Sequence, residues 1–349
     1  MPYEGGEDYY NDLEPNLLDE NQNLMIAFYE LIYENNKNWF EIESQLRISE
    51  YMKIEEGHQT ILTEGFISDF FKKIIEVVKN FFRKLKEIII RIFDNVKNKH
   101  KSKNTRSVED ILKDHKDVKF SVCMKLVQIF EKNKEILSSL MDIDDIECFV
   151  LVGPKAVVLN KYDPKTKEGE RAYREYFSSE IGYQKELFNM ARKIGTEVEK
   201  VFVGLNKYTS SLKTKQFTDI GYFLDSFNSV FKKYLKDLSE QKTEISIIEA
   251  AKIADGSENY IKYLKESYKK IDNFGDLMIK NLKKYEKDLQ ASNIDENLCR
   301  LILSNINYAI STYIKFLNDY TRAIFQAFQI PLNQIQAQFR KFAKGENVI

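Results

Sequence analysis

Residues 61–103 read ILTEGFISDFFKKIIEVVKNFFRKLKEIIIRIFDNVKNKHKSK. Ile67, Phe71, Ile74, Val78, Phe81, Leu85, Ile88 and Ile92 recur in alternating steps of four and three, which sets them in one stripe along an α-helix. Phe70, Ile75, Val77, Phe82 and Ile89 widen the stripe, while Lys72, Lys73, Lys79, Arg83, Lys84, Lys86 and Arg91 fall mostly on the other face. Burying one large apolar side chain is worth roughly 1.5–3 kcal/mol, so about ten of them do not stay in water. The helix must dock on its own chain, on a partner or on a lipid surface.

The same stretch marks a reversal of charge. Residues 1–64 hold fifteen acidic residues against Lys37, Arg47 and Lys53, a balance of −12; with a total of −1, residues 65–349 carry +11. An asymmetry of this kind points to an acidic segment with a role of its own. Residues 1–16 are acidic and bear Gly and Pro, a composition expected to be disordered. Helical patterns follow over 17–34 and 39–56, with the sole tryptophan at Trp39 and a break at Gly57-His58.

Past the basic helix, KNKHKSKNTR at 97–106 reads as a linker. Ser107 with Asp110 has capping-box spacing and predicts a helix to about Leu140. The run CFVLVGPKAVVLNKY at 148–162 is the one β signal, two β-branched runs around Gly153-Pro154-Lys155 that predict a hairpin. Helical patterns resume over 170–215, 217–240, 257–290 and 294–329, with Pro331 interrupting the last. Only 5 prolines and 13 glycines in 349 residues also favour long helices. The expectation is an all-α protein, an elongated helical bundle with one small β-hairpin. Its parts are an acidic N-terminal segment (1–64), a basic amphipathic helix and linker (65–106), and a helical bundle domain (107–349).

Catalytic chemistry finds little support. His58, His100 and His115 are isolated, and no Gly-rich phosphate loop or metal-ligand spacing is present. Cys123 and His115 stand eight residues apart, roughly 12 Å of helical rise, and read as a core thiol and a surface imidazole. Cys123, Cys148 and Cys299 are expected to be free thiols. Asp142, Asp144, Asp145 and Glu147 read as a solvated turn rather than a cation site. Glu197 and Glu199 with Ser210 and Ser211 have the residue types of an ADP-ribosyltransferase site in the wrong order. No enzyme activity and no cofactor are expected. The first twenty residues lack the apolar core of a signal peptide, and no run is apolar enough to span a bilayer. Three readings remain for the basic helix: a membrane-surface element, a phosphate-contacting nucleic-acid element, or a bundle helix with its lysines in solvent.

Leu62-Thr63-Glu64-Gly65 lies where the acidic segment ends and the basic helix begins. Ile/Leu-x-Glu followed by a small residue also occurs at Glu56, Glu249 and Glu266, but only Glu64 coincides with the charge reversal. Here, over residues 50–100, the chain resembles internal head proteins of large tailed bacteriophages. In such proteins a prohead protease removes an N-terminal propeptide by cutting after Glu in an Ile/Leu-x-Glu context. The resemblance implies cleavage after Glu64, in a site made of Leu62, Glu64 and Gly65, and a virion protein inside the head, made in the host cytoplasm during assembly. The implied partners are the prohead protease, capsid or core proteins, and non-specific DNA met by Lys72, Lys73, Lys79, Arg83, Lys84, Lys86 and Arg91. A membrane surface is the alternative partner for those cations, and an intracellular helical scaffold the alternative role.

Overall fold

The computed structural model describes residues 14–56, 64–101, 115, 117–132, 166–178, 185–215, 220–255, 257–291 and 296–345. These form ten helices and two short strands. In chain order they are α1 (Glu14–Glu56), α2 (Glu64–Lys101), β1 (Lys119–Val122), α3 (Met124–Lys132), α4 (Lys167–Ser178) and α5 (Lys185–Val201). Then come α6 (Leu205–Thr214), α7 (Ile220–Ser239), β2 (Thr243–Ser246), α8 (Ile247–Asp255), α9 (Ser257–Gln290) and α10 (Glu296–Ala343).

The stripe on α2 docks on its own chain. Phe71, Ile74, Val78, Phe81 and Leu85 are 0 % exposed, and Ile67, Phe70, Ile75, Val77, Phe82, Ile88 and Ile89 are also buried. Its most extensive partner is α9, with α1 on the other flank. Phe82 meets Phe274 edge-on at 5.6 Å, and Phe71 lies 6.4 Å from Tyr285. Gly275 makes the approach of α9 possible, since a Cβ there would sit 3.0 Å from the Phe82 ring. One hydrophobic cluster then runs from α1 (Phe28, Trp39) through α2 and α9 to α7 and α10 (Phe231, Tyr320). The acidic segment and the basic body share this core.

Several local expectations differ from the structure. The 17–34 and 39–56 patterns are one helix, because Asn35 does not break it. Asn35 is buried and its amide donates to the Leu31 carbonyl one turn back, at 2.8 Å, so the polar side chain is satisfied inside the helix. Of the helix expected from 107 to 140, the described residues 117–132 hold β1 followed by α3, and most of the rest lies outside the described residues. Phe120 and Val122 point into a second, smaller core with Ile245, Ile247, Ala251 and Ile335. The described residues of 170–215 belong to α4, α5 and α6, with a left-handed turn at Gly204 (φ 92°) between the last two.

Among the described residues one sheet forms, pairing β1 with β2, antiparallel, Phe120 opposite Ile245 and Val122 opposite Thr243. Its strands lie far apart in sequence and form no hairpin. The hairpin expected at 148–162 falls outside the described residues. Pro331 does not end the last helix: it lies buried within α10. Beyond it, α10 is clamped to β1. Gln338 accepts from the Ser121 amide at 2.6 Å and donates to its carbonyl at 2.9 Å, and Gln334 accepts from the Cys123 amide at 2.8 Å. Side-chain amides thus pin the helix where the proline removes one of its own hydrogen bonds.

Candidate functional site: a basic trough between α2 and α9

The cations expected on α2 divide by the neighbour each one meets. Lys84 is bonded to Glu34 of α1 and Lys73 to Gln45 of α1. Lys86 binds both carboxylate oxygens of Asp272 on α9, at 2.8 and 3.0 Å. Arg83 pairs with Glu87 at 2.7 Å and Lys72 with Asp69 at 3.2 Å, both exposed and one turn apart. Such exposed pairs contribute about 0–1 kcal/mol, so they give way readily to another anion. Lys79 and Arg91 are exposed and have no ion-pair partner among the described residues. Four of the seven cations are therefore charge-paired within the chain, and Lys73 holds a neutral amide.

The structure adds lysines that the sequence did not single out. On α9, Lys280, Lys283, Lys284 and Lys287 follow the i, i+3, i+4, i+7 rule and share one helix face. All four are exposed, and none has an ion-pair partner among the described residues. A shallow trough of about 540 Å³ is lined by Lys72, Ile75, Glu76 and Lys79 of α2 with Lys283, Glu286 and Lys287 of α9. A second hollow of about 430 Å³ continues it along α9 past Lys280 and Lys284, with Asp276 and Ile279. Six lysines thus surround the two hollows against Glu76, Glu286 and Asp276. The trough owes its position to the α2–α9 packing: burying Ile75 and Phe82 against α9 sets the two lysine rows side by side.

From Lys280 to Lys287 the rise is roughly 10 Å, about three phosphate-to-phosphate steps along one DNA strand. The chemistry on offer is that of point charges on flexible stems over a partly apolar floor. This suits a repeated anion read without sequence preference.

The cleavage candidate sits at a helix start. α1 ends at Glu56 and α2 begins at Glu64, so Glu64–Gly65 lies in the first turn of α2 and Gly65 is exposed. First-turn amides lack intrahelical partners, so that turn opens at small cost. Leu62 lies outside the described residues.

Several of the residues weighed for catalysis have partners in the fold. Cys123 is fully buried and its thiol donates to the Leu238 carbonyl at 2.9 Å; burial pushes its pKa above the ordinary thiol value. Such a thiol is a poor nucleophile. His115 is half-buried, its ring edge-on to Phe342 at 5.0 Å, rather than a free surface imidazole. Cys299 is a buried thiol. Glu197 pairs with Lys200 at 2.6 Å and Glu199 with Lys213 at 2.7 Å, which accounts for both carboxylates. Asp142, Asp144, Asp145, Glu147 and Cys148 lie outside the described residues. No cluster of His, Cys, Asp and Glu suited to a metal ion occurs among the described residues, and none of their helices is long and apolar enough to cross a membrane. No known family, curated protein or solved structure matches the chain.

Proposed function

We propose that this chain is a non-enzymatic internal head protein of a tailed bacteriophage, matured by cleavage after Glu64 and packaged with DNA held in the α2–α9 trough. The observation that carries the DNA part is the row Lys280, Lys283, Lys284 and Lys287 beside Lys72 and Lys79, four lysines without an ion-pair partner among the described residues. Elsewhere on α2, Lys84, Lys86 and Arg83 are matched to acids. An unmatched row of like charges on one face costs repulsion unless an anion sits there. The apolar face of α2 is occupied by α9 and α1, so a bilayer would have to displace core packing to reach it. That favours a phosphate backbone over lipid as the partner.

The test is a duplex binding titration by fluorescence anisotropy at several salt concentrations. The expected affinity is about 10⁻⁴–10⁻⁶ M, independent of sequence, and log K falls by about 0.9 per log unit of salt for each phosphate neutralised. Replacing Lys280, Lys283, Lys284 and Lys287 by Glu abolishes binding. The same exchange at Lys207, Lys232, Lys233 and Lys236, exposed on α6 and α7, changes the net charge equally and is expected to weaken binding far less. Equal losses in both variants, or no binding by the parent, sink the trough as a DNA site.

The maturation part has its own measurement. Peptide mass spectrometry on purified particles is expected to find Gly65 as the N-terminal residue of the large fragment. Peptides joining residues 57–64 to 65–72 in stoichiometry with those from α10 would mean that no processing occurs, and would remove the main support for the phage-head reading.

A further inference from the structure

The outer face of α1 carries an apolar seam that the core does not use. Phe28, Leu31, Asn35, Trp39, Ile42 and Leu46 face inward. Ile26, Tyr29, Tyr33 and Phe40 face outward and are 51–74 % exposed. At 3.6 residues per turn these four fall within roughly a 60° arc, about 150° away from the centre of the buried face. Together with the exposed Asn36 they step 26, 29, 33, 36, 40, the alternating three–four spacing of the a and d positions of a coiled coil. The guanidinium of Arg322, itself paired with Asp319 at 2.9 Å, lies 4.9 Å from the Tyr29 ring and steadies its place in the seam.

We infer that a second copy of this chain covers the seam, its α1 packed antiparallel on the first. Two observations choose this occupant. The charges flanking the seam on one side are Glu30 and Lys37, both exposed and both without an ion-pair partner among the described residues. They occupy equivalent e positions one heptad apart. In an antiparallel pair e faces e of the neighbour, so Glu30 of each copy lies beside Lys37 of the other and both pairs attract. A parallel pair brings e beside g, where Ile32 and Trp39 offer no charge. The second observation is area. An aromatic side chain offers about 150–250 Å², so the four exposed side chains present roughly 500–600 Å² per copy. Two copies reach about 1,000–1,200 Å², near the lower end of the ~1,200–2,000 Å² of a stable interface before the flanking polar residues are added. A two-fold contact of one patch with itself also closes, and so gives a dimer rather than a filament. In this pairing Tyr29 of one copy meets Phe40 of the other, with Asn36 near Tyr33 at the centre.

The inference stands apart from the DNA reading, and it is tested on the full chain by sedimentation velocity over a concentration series. A reversible dimer is expected at tens of micromolar. Tyr33→Lys with Phe40→Lys weakens it at least tenfold (about 1.4 kcal/mol) without moving the thermal melt, since both side chains are exposed in the monomer. Glu30→Lys alone also weakens it, and adding Lys37→Glu restores it, which a merely structural role for either residue does not produce. In a Cys148→Ser background, Tyr29→Cys chains mixed with Phe40→Cys chains form a disulfide-linked dimer and Phe40→Cys chains alone do not. A monomer at every concentration overturns the inference. So does a monomer whose Tyr33 resists a tyrosine-modifying reagent, which would place another segment such as 133–165 on the seam. Self-linking of Phe40→Cys chains overturns the antiparallel arrangement.

Discussion

Replacing Phe81 and Leu85 together by Lys is expected to unfold the protein, whereas replacing Lys79 and Lys86 by Gln leaves it folded. Phe81 and Leu85 are 0 % exposed at the centre of the interface that α2 makes with the rest of the core. Removing a buried Phe costs about 3–5 kcal/mol and a buried Leu about 2–5. The introduced ammonium groups add the desolvation cost of a buried charge. A domain holds about 5–15 kcal/mol in all, so this double variant has little or no folded population. Lys79 is solvated, and the lysine variant gives up the ion pair between Lys86 and Asp272. A part-exposed pair of this kind is worth about 1 kcal/mol at most. Circular-dichroism melts decide it. Coincident transitions for the two double variants would mean that the stripe is not buried, and the membrane-surface reading of α2 would regain its ground.

The reason that α2 was legible lies in its pattern. Its apolar residues hold a strict three–four spacing along most of the helix, and no other structure buries that pattern so completely. The bounds of α9 were legible for the same reason, with Ser257 at its start. Other elements were hidden by chemistry that acts at a distance. KFSV at 119–122 and TEIS at 243–246 are four-residue strands, too short to outweigh the helical propensity around them. They become strands only because each completes the other's ladder across the chain and Gln338 of α10 satisfies an edge amide and carbonyl of β1. Asn35 and Pro331 have the identities of helix breakers, yet neither breaks its helix. One bonds to its own turn, and the other is followed by a segment pinned to β1.

The trough was half legible. Lys72 and Lys79 were expected to meet an anion, but counting charge along the chain hides which cations share a face after folding. Lys280, Lys283, Lys284 and Lys287 sit in a helix whose overall acid–base balance is unremarkable. Only the packing of Gly275 against Phe82 brings their row beside α2. Lys84 and Lys86 were grouped with the DNA-contacting cations, yet the acids that match them are Glu34 and Asp272, distant in sequence.

Excising residues 1–64 is expected to destroy the solubility of the body, while cutting the chain after Glu64 in the folded protein is expected to leave α1 in place. The acidic segment is held by more than charge. Phe28, Leu31, Trp39, Ile42 and Leu46 of α1 are buried in the common core, Phe28 lying 5.9 Å from Phe325 of α10. At roughly 1.5–3 kcal/mol each, these five side chains contribute about 8–15 kcal/mol, comparable with the whole stability of a domain. Their partners on α2 and α10 lose the same cover when α1 is missing. A body expressed from residue 65 onward therefore exposes a continuous apolar face and aggregates or binds a hydrophobic dye. Cutting in place leaves that packing intact; it removes only the covalent tether, and so lowers the effective concentration of α1. A protease site set between Glu56 and Glu64, cut in the purified protein, gives two fragments that are expected to co-elute until denaturant is added. If the α1 fragment separates at once and leaves a monodisperse, folded body, then α1 is a loosely held propeptide, and loss of its −12 charge alone accounts for maturation. If the fragments stay together, the cut must act through the freed Gly65 end or through a partner that pulls α1 away, and the apolar face beneath α1 becomes available only once that partner arrives.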